Sequence, residues 1–218
     1  MGKARHDVTR GDLIVPTNAT PLYYGALTVG AHTLGYKGHT YRCNQVSSIS
    51  FDWMRTNKIG AGINQSMELQ FRLPDVRGRI SLYTDQVFTV YHPFRSIRDK
   101  HVTLYSIFAH LAEQSLRARL TDYLSQLREN GQVIFDNCHL VADGTLIQGK
   151  SVFKLDDPLL RVKTTPSWLY FWRVGSERTG VSKWVLGPWS EYITLNQSID
   201  RDVIQHLFQS MFRLNLAA

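Results

Sequence analysis

Hydrophobic periodicity changes from strand-like to helical twice along this chain, and that order restricts its folds more than any motif does. Short extended segments separated by turn residues run from Tyr23 to Tyr91, and a helical stretch opens at Ser96-Ile97-Arg98-Asp99. The same order returns from Val133 to Leu195, and a second helix opens at Ser198-Ile199-Asp200-Arg201. Strands joined by tight turns pair antiparallel with their near neighbours. A helix that follows them buries its apolar stripe on the sheets it has just left. The chain therefore reads as α+β: two antiparallel β-meander units, each a partly open barrel closed by a C-terminal helix, joined by a long helix. Its 218 residues suit two units of about 100 residues each. The expected division is a polar leader at 1–21, a first unit at 22–115, a helical extension at 116–131 and a second unit at 132–218.

The clearest strand holds Met67, Leu69, Phe71 and Leu73 on one face, with Glu68, Gln70 and Arg72 on the other. Such alternation is the mark of a half-buried strand. Pro74 to Gly78 turns the chain, and Ile80 and Leu82 return it. Earlier, Tyr23 to Val29 reads as one strand ended at Gly30-Ala31, Lys37-Gly38 as a tight turn, and Val46 to Trp53 as a strand. Met54 to Asn64, with Gly60 and Gly62, reads as a turned loop of the kind that carries binding residues. From Asp99 the helical stripe is Val102, Tyr105, Phe108, Ala112, Leu116, Leu120, Tyr123 and Leu127, stopped by Asn130-Gly131. In the closing helix the expected inner stripe is Ile199, Val203, Leu207 and Met211.

Charge is uneven. The formal net charge is +7, of which +6 lies in residues 1–101 and +1 in the remainder. A basic first half permits contact with phospholipid, nucleic acid or an acidic protein, or serves solubility alone. Cys43 and Cys138 form no CxxC pair and sit in apolar segments, which suits free thiols in a reducing compartment. The start of the chain is polar and lacks a signal-like core, and no apolar run reaches bilayer-spanning length. A cytoplasmic protein, soluble or peripheral to a membrane, is the expectation.

Catalytic signatures are missing: there is no GxSxG elbow, no Walker loop and no HExxH. The eight histidines are scattered, so no metal and no cofactor is expected. Two constellations carry the functional reading. Arg55, Lys58, Arg72, Arg77 and Arg79, with Trp53 at the loop base, can form a basic anion-binding rim, or can be ordinary outward positions. Trp168, Trp172, Trp184 and Trp189, with Tyr170 and Phe171, can stack bases or hold a peptide, or can fill the core of a small β-unit.

The run of short strands from Tyr23 to Phe51, with turns at Gly30-Ala31 and Lys37-Gly38 and the strand Val46-Ser47-Ser48-Ile49-Ser50-Phe51, resembles the pleckstrin-homology-like domains of bacteria. The likeness is one of pattern and covers both halves. It implies a binding scaffold for lipid headgroups, peptides or protein surfaces, with no particular ligand. The long first helix and the tryptophan-rich second half depart from that pattern. The expected function is a non-catalytic tandem module that engages an anionic membrane surface or a protein partner, with nucleic acid a lesser option. The alternatives are an assembly subunit that forms a homo-oligomer, and an enzyme whose site is assembled only in three dimensions.

Overall fold

The computed structural model describes residues 12–58, 62–87, 95–165, 168–180 and 189–214. Those residues form four antiparallel sheets and two helices. The chain divides between Arg119 and Leu120 into two compact units.

In the first unit β1 (Leu22–Tyr24), β2 (Leu27–Val29), β3 (Thr33–Tyr36) and β4 (His39–Arg42) pair antiparallel in chain order. Tyr23 to Val29 is thus not the single strand its composition suggests. Gly25 takes a φ of 58°, a left-handed conformation open to glycine because it lacks a Cβ. The chain reverses there and sets Tyr24 opposite Leu27. At the β3–β4 hairpin Lys37 and Gly38 both have positive φ, 48° and 81°, as a two-residue turn matched to strand twist requires.

A second sheet contains β5 (Ser48–Lys58), β6 (Gly62–Arg72) and β7 (Ile80–Val87). The β5–β6 ladder runs unbroken from Ser48 opposite Arg72 to Lys58 opposite Gly62. The glycine-containing segment expected as a loop is therefore mostly paired strand. Its residues 59–61 lie outside the described residues.

Helix α1 (Arg95–Asn130) is 36 residues long, and Gly131, at a φ of 70°, follows its last turn as a C-terminal glycine does. Leu27, Val29 and Leu34 of the first sheet, Met67, Leu69 and Phe71 of the second, and Leu104, Ile107 and Leu111 of α1 are all fully buried in one core. Each such side chain contributes about 1.5–3 kcal/mol by leaving water. The buried line of α1 runs through Leu104, Ile107, Leu111 and Ser115. The expected Val102, Ala112 and Leu127 are buried as well, whereas Tyr105 and Phe108 are only half-buried. The two rings lie at the margin of that line instead. Phe108 stacks on Phe51 at 4.5 Å between centroids, and Tyr105 meets the same ring edge-on at 5.7 Å.

The second unit repeats the order of elements. β8 (Gln132–Phe135), β9 (Cys138–Val141), β10 (Thr145–Gln148) and β11 (Ser151–Lys154) make a four-stranded sheet. β12 (Leu160–Thr164), β13 (Trp168–Arg173) and β14 (Tyr192–Asn196) make a three-stranded one, and α2 (Arg201–Met211) follows. The inner stripe of α2 is Val203, Ile204, Leu207 and Phe208. Val203 and Leu207 of the expected stripe are therefore buried, while Met211 is 44% exposed. Phe208 meets Phe171 of β13 at 5.6 Å. Tyr123, near the end of α1, stacks on Phe135 and donates its hydroxyl to Asp200 Oδ2 at 3.1 Å. In neither unit do the described strands close a barrel; each unit has two separate sheets. Cys43 and Cys138 are both free and buried, and burial pushes their thiols up to about 11 and about 12.

Candidate anion-binding cleft

The β3–β4 hairpin and the β6–β7 connection face each other across a cleft of about 870 Å³ in the first unit. Tyr36, Lys37, His39, Thr40 and Tyr41 line one side, and Pro74, Asp75, Val76, Arg77, Arg79 and Ile80 the other. Local chain chemistry sets both walls. The positive φ of Lys37 and Gly38 makes the hairpin tip sharp, and Asp75 and Gly78, at φ of 61° and 85°, bend the opposite connection. Pro74 precedes that bend, where its fixed φ suits a turn. The floor is anchored because Ile80 pairs with Phe71 and is almost fully buried.

The cleft has three permanent cations, Lys37, Arg77 and Arg79, together with His39, against one carboxylate, Asp75. All four basic side chains are exposed at its rim. No salt bridge among the described residues joins any of them to a carboxylate. Arg79 is held by a neutral partner, donating from Nη1 to Gln70 Oε1 at 3.3 Å, and Gln70 in turn donates to Glu68 Oε1 at 2.7 Å. The Lys37 ammonium lies 5.3 Å from the centroid of the Tyr36 ring. Tyr36, Tyr41, Val76 and Ile80 give the cleft apolar and aromatic surface beside its charge. Such a site suits a ligand with negative groups and an organic body, which uses both kinds of wall.

The five basic residues singled out in the sequence do not share one end of the sheet. Arg72 follows Phe71 and Arg79 precedes Ile80, and those two residues are paired, so Arg72 and Arg79 are neighbours. Arg77 and Arg79 line the cleft. Arg55 and Lys58 stand opposite Gln65 and Gly62, toward the other end of the β5–β6 ladder, about 20–30 Å along the strand at 3.3 Å per residue. Trp53 is opposite Met67 on the same ladder. Lys37 and His39 were not read as site residues. The signal was the Lys37-Gly38 turn itself, whose facing partner lies some forty residues on in the chain.

A carboxylate pair was also invisible in the sequence. The β5–β6 register sets Asp52 directly opposite Glu68. Burial first, and the Glu68 charge second, hold the Asp52 carboxyl above its ordinary value. Neither residue lines the cleft. Among the described residues no group of three His, Cys, Asp or Glu is arranged to hold a metal ion.

The tryptophan group of the second unit lies on the outer face of its sheet. Leu169 and Phe171 of β13 are fully buried, as are Ile193 and Leu195 of β14. Trp168, Tyr170 and Trp172 take the opposite face and are half-buried. These three rings therefore do not fill the unit's interior, whereas Phe171 does. Trp189 stacks on Trp172 at 4.7 Å and also meets Tyr170 at 5.7 Å and Tyr192 at 6.0 Å. Around this cluster the ends of the β13–β14 connection are tied together. The Ser190 N–H donates to Ser176 O at 2.8 Å, Trp172 Nε1 donates to Glu177 Oε1 at 3.2 Å, and the Gly175 N–H donates to Glu177 Oε2 at 2.7 Å. Backbone N–H donation holds the Glu177 carboxyl below its ordinary value. Much of the ring surface is thus spent within the protein. Trp184 lies outside the described residues.

In the second unit, β10 and β11 lie against β14, and the side chain of Gln148 joins them. Its Nε2 donates to Thr194 O at 2.8 Å, and its Oε1 accepts from the Thr194 N–H at 2.9 Å. One amide satisfies both main-chain groups of a strand residue, as a neighbouring strand would. In the first unit the corresponding place, the last residue of the third strand, is Tyr36, which lines the open cleft.

No helix among the described residues is long and apolar enough to cross a membrane. Comparison with known proteins finds no matching family model, no matching curated protein and no matching solved structure.

Proposed function

We propose that this chain is a non-catalytic tandem binding module whose first unit captures an anionic partner in the cleft between the β3–β4 hairpin and the β6–β7 connection. The observation that carries the reading is the meeting of Lys37, His39, Arg77 and Arg79 around one concave surface with a single carboxylate. Like charges gathered without a carboxylate salt bridge among the described residues repel one another. Their common neutraliser is then a ligand or solvent counter-ions. The order of four strands, three strands and a helix in each unit supports a pleckstrin-homology-like plan used twice. On this reading the protein works in the cytoplasm and reaches membranes, if at all, as a peripheral protein.

The test compares the wild-type protein with R77E/R79E for binding to poly-glutamate and to vesicles of phosphatidylcholine and phosphatidylserine, over a salt series. The variant is expected to weaken binding to at least one of these by about tenfold or more at low salt. Its thermal midpoint should match that of the wild type, because both side chains are exposed. Unchanged binding of both polyanions by a folded variant sinks the proposal.

A further inference from the structure

We infer that the ligand of the cleft is an extended acidic peptide that runs along the free edge of β4 and hydrogen-bonds the main chain at Thr40. The inference rests on reading the cleft as an anion site and specifies the class of anion.

β4 is the last of the described strands in its sheet, so among the described residues one side of its backbone has no neighbouring strand. Hairpin geometry identifies the groups that point outward. Lys37 and Gly38 form the two-residue turn, and Tyr36 and His39 are the pair that closes it. In such a hairpin the closing pair exchanges hydrogen bonds, and the next pair does not. The next pair is Gly35 and Thr40. The N–H and C=O of Thr40 therefore aim away from β3. Arg42, two residues on, has the same parity and gives an independent check. It is paired with Thr33, yet its N–H donates to Gln45 Oε1 at 2.7 Å. Thr40 is exposed and lines the cleft. The edge it offers faces Arg77 and Arg79 and is flanked by Lys37 and His39.

Charge alone does not make a selective site here. The cations are exposed and hydrated, and a solvated ion pair is worth only about 0–1 kcal/mol. A small inorganic anion would gain little more than that. An extended chain gains main-chain hydrogen bonds from the edge, while its acidic side chains meet the arginines and alternate side chains meet Tyr41 and Val76. A cleft of about 870 Å³ has room for such a segment. The second unit makes the same kind of bond internally, where the Gln148 amide pairs with both main-chain groups of Thr194. In the first unit the phenol of Tyr36 stands at the matching place, and a phenol cannot supply an amide's paired donor and acceptor.

The probe is a capped hexapeptide of alternating glutamate and valine, measured by fluorescence anisotropy, with amide hydrogen exchange read at Thr40. Two controls are the same peptide N-methylated on its valine nitrogens and on its glutamate nitrogens, which keep the charge. The other arms are inorganic phosphate and the phosphatidylserine vesicles. The inference expects wild-type protein to bind the parent peptide and R77E/R79E to bind it at least about tenfold more weakly. It also expects one of the two methylated peptides to lose at least about tenfold in affinity, because one set of nitrogens faces β4, and Thr40 exchange to slow in the complex. If R77E/R79E does not fold, R77Q/R79Q replaces it. Equal binding of the parent and both methylated peptides, or unchanged Thr40 exchange, overturns the edge pairing. Arginine-dependent binding of phosphate or vesicles without peptide binding overturns the peptide inference and leaves the anion reading standing. No binding in any arm overturns both.

Discussion

The two units share an order of elements and differ in what closes the gap between their sheets. In the first, Tyr36, Lys37 and His39 face Arg77 and Arg79 across open space. In the second, Gln148 crosses the equivalent gap and binds both main-chain groups of Thr194. The outer faces differ as well. Across the four-stranded sheet of the second unit the register aligns Ile134, His139, Ile147 and Val152, whereas in the first it aligns Tyr23, Thr28, Gly35 and Thr40. The plan that makes the core is thus separable from the residues that make a surface. Phe71 opposite Ile80 and Phe171 opposite Ile193 are the same packing solution found twice, while the cleft and the amide bridge are opposite uses of one gap.

The comparison breaks most readily at the two phenylalanines. Phe71→Ala and Phe171→Ala each remove a fully buried ring, and each is expected to cost about 3–5 kcal/mol. Chemical denaturation of both variants, followed by tryptophan fluorescence and far-ultraviolet circular dichroism, measures this. A cost below about 1 kcal/mol at one site would show that the two rings are not equivalent.

Gln148→Ala removes the bridge and leaves the N–H and C=O of Thr194 without it. The expected loss is about 2–6 kcal/mol, from about 1–3 for each of the two groups left unmade. Tyr36→Ala in the first unit should cost less, because Tyr36 is half-buried and lines the cleft. Equal destabilisation by the two substitutions would contradict the contrast between a closed gap and an open one.

The smallest effect is a pH response confined to the first unit. His101 is 5% exposed, and its Nε2 has no hydrogen-bond partner among the described residues. Burial holds its pKa below the ordinary value of about 6.5. The unfolded chain then takes up this proton more readily than the folded one. Stability from the neutral ring is full above about 6.5 and falls as pH drops through that value toward the folded one, by at most about 1.4 kcal/mol per pH unit. Thermal midpoints of the wild type and His101→Leu between neutral and mildly acidic pH should diverge, the variant being the flatter. Parallel curves would remove His101 from the acid response.

Much of the strand and helix content was legible because local patterns carry it. The alternation from Met67 to Leu73 needed no tertiary information, and the Lys37-Gly38 and Asn130-Gly131 stops follow from backbone sterics. The Gly25 reversal was missed because Tyr23 to Val29 is apolar on both sides of a glycine, and no period marks the turn. The tryptophan strand stayed open between core and surface for a related reason. β13 has large apolar residues at every position from Trp168 to Trp172, so periodicity alone cannot tell which face is inside. Packing against α2 decided for Leu169 and Phe171. Phe208 of α2 meets Phe171 directly.

By itself, the sequence determined the class of the protein: α+β, meander then helix, twice, with most of its positive charge in the first half. Those properties follow from hydrophobic period, turn stereochemistry and residue counts, all local or additive. Tertiary structure alone decided that Lys37 and His39 face Arg77 and Arg79, that Arg55 and Lys58 stand far along the ladder, and that Gln148 closes in one unit the gap left open in the other. Each of these depends on register or on sheets meeting over a shared core; the ladder joins residues up to 24 positions apart, and the cleft and the amide bridge join residues about forty or more apart.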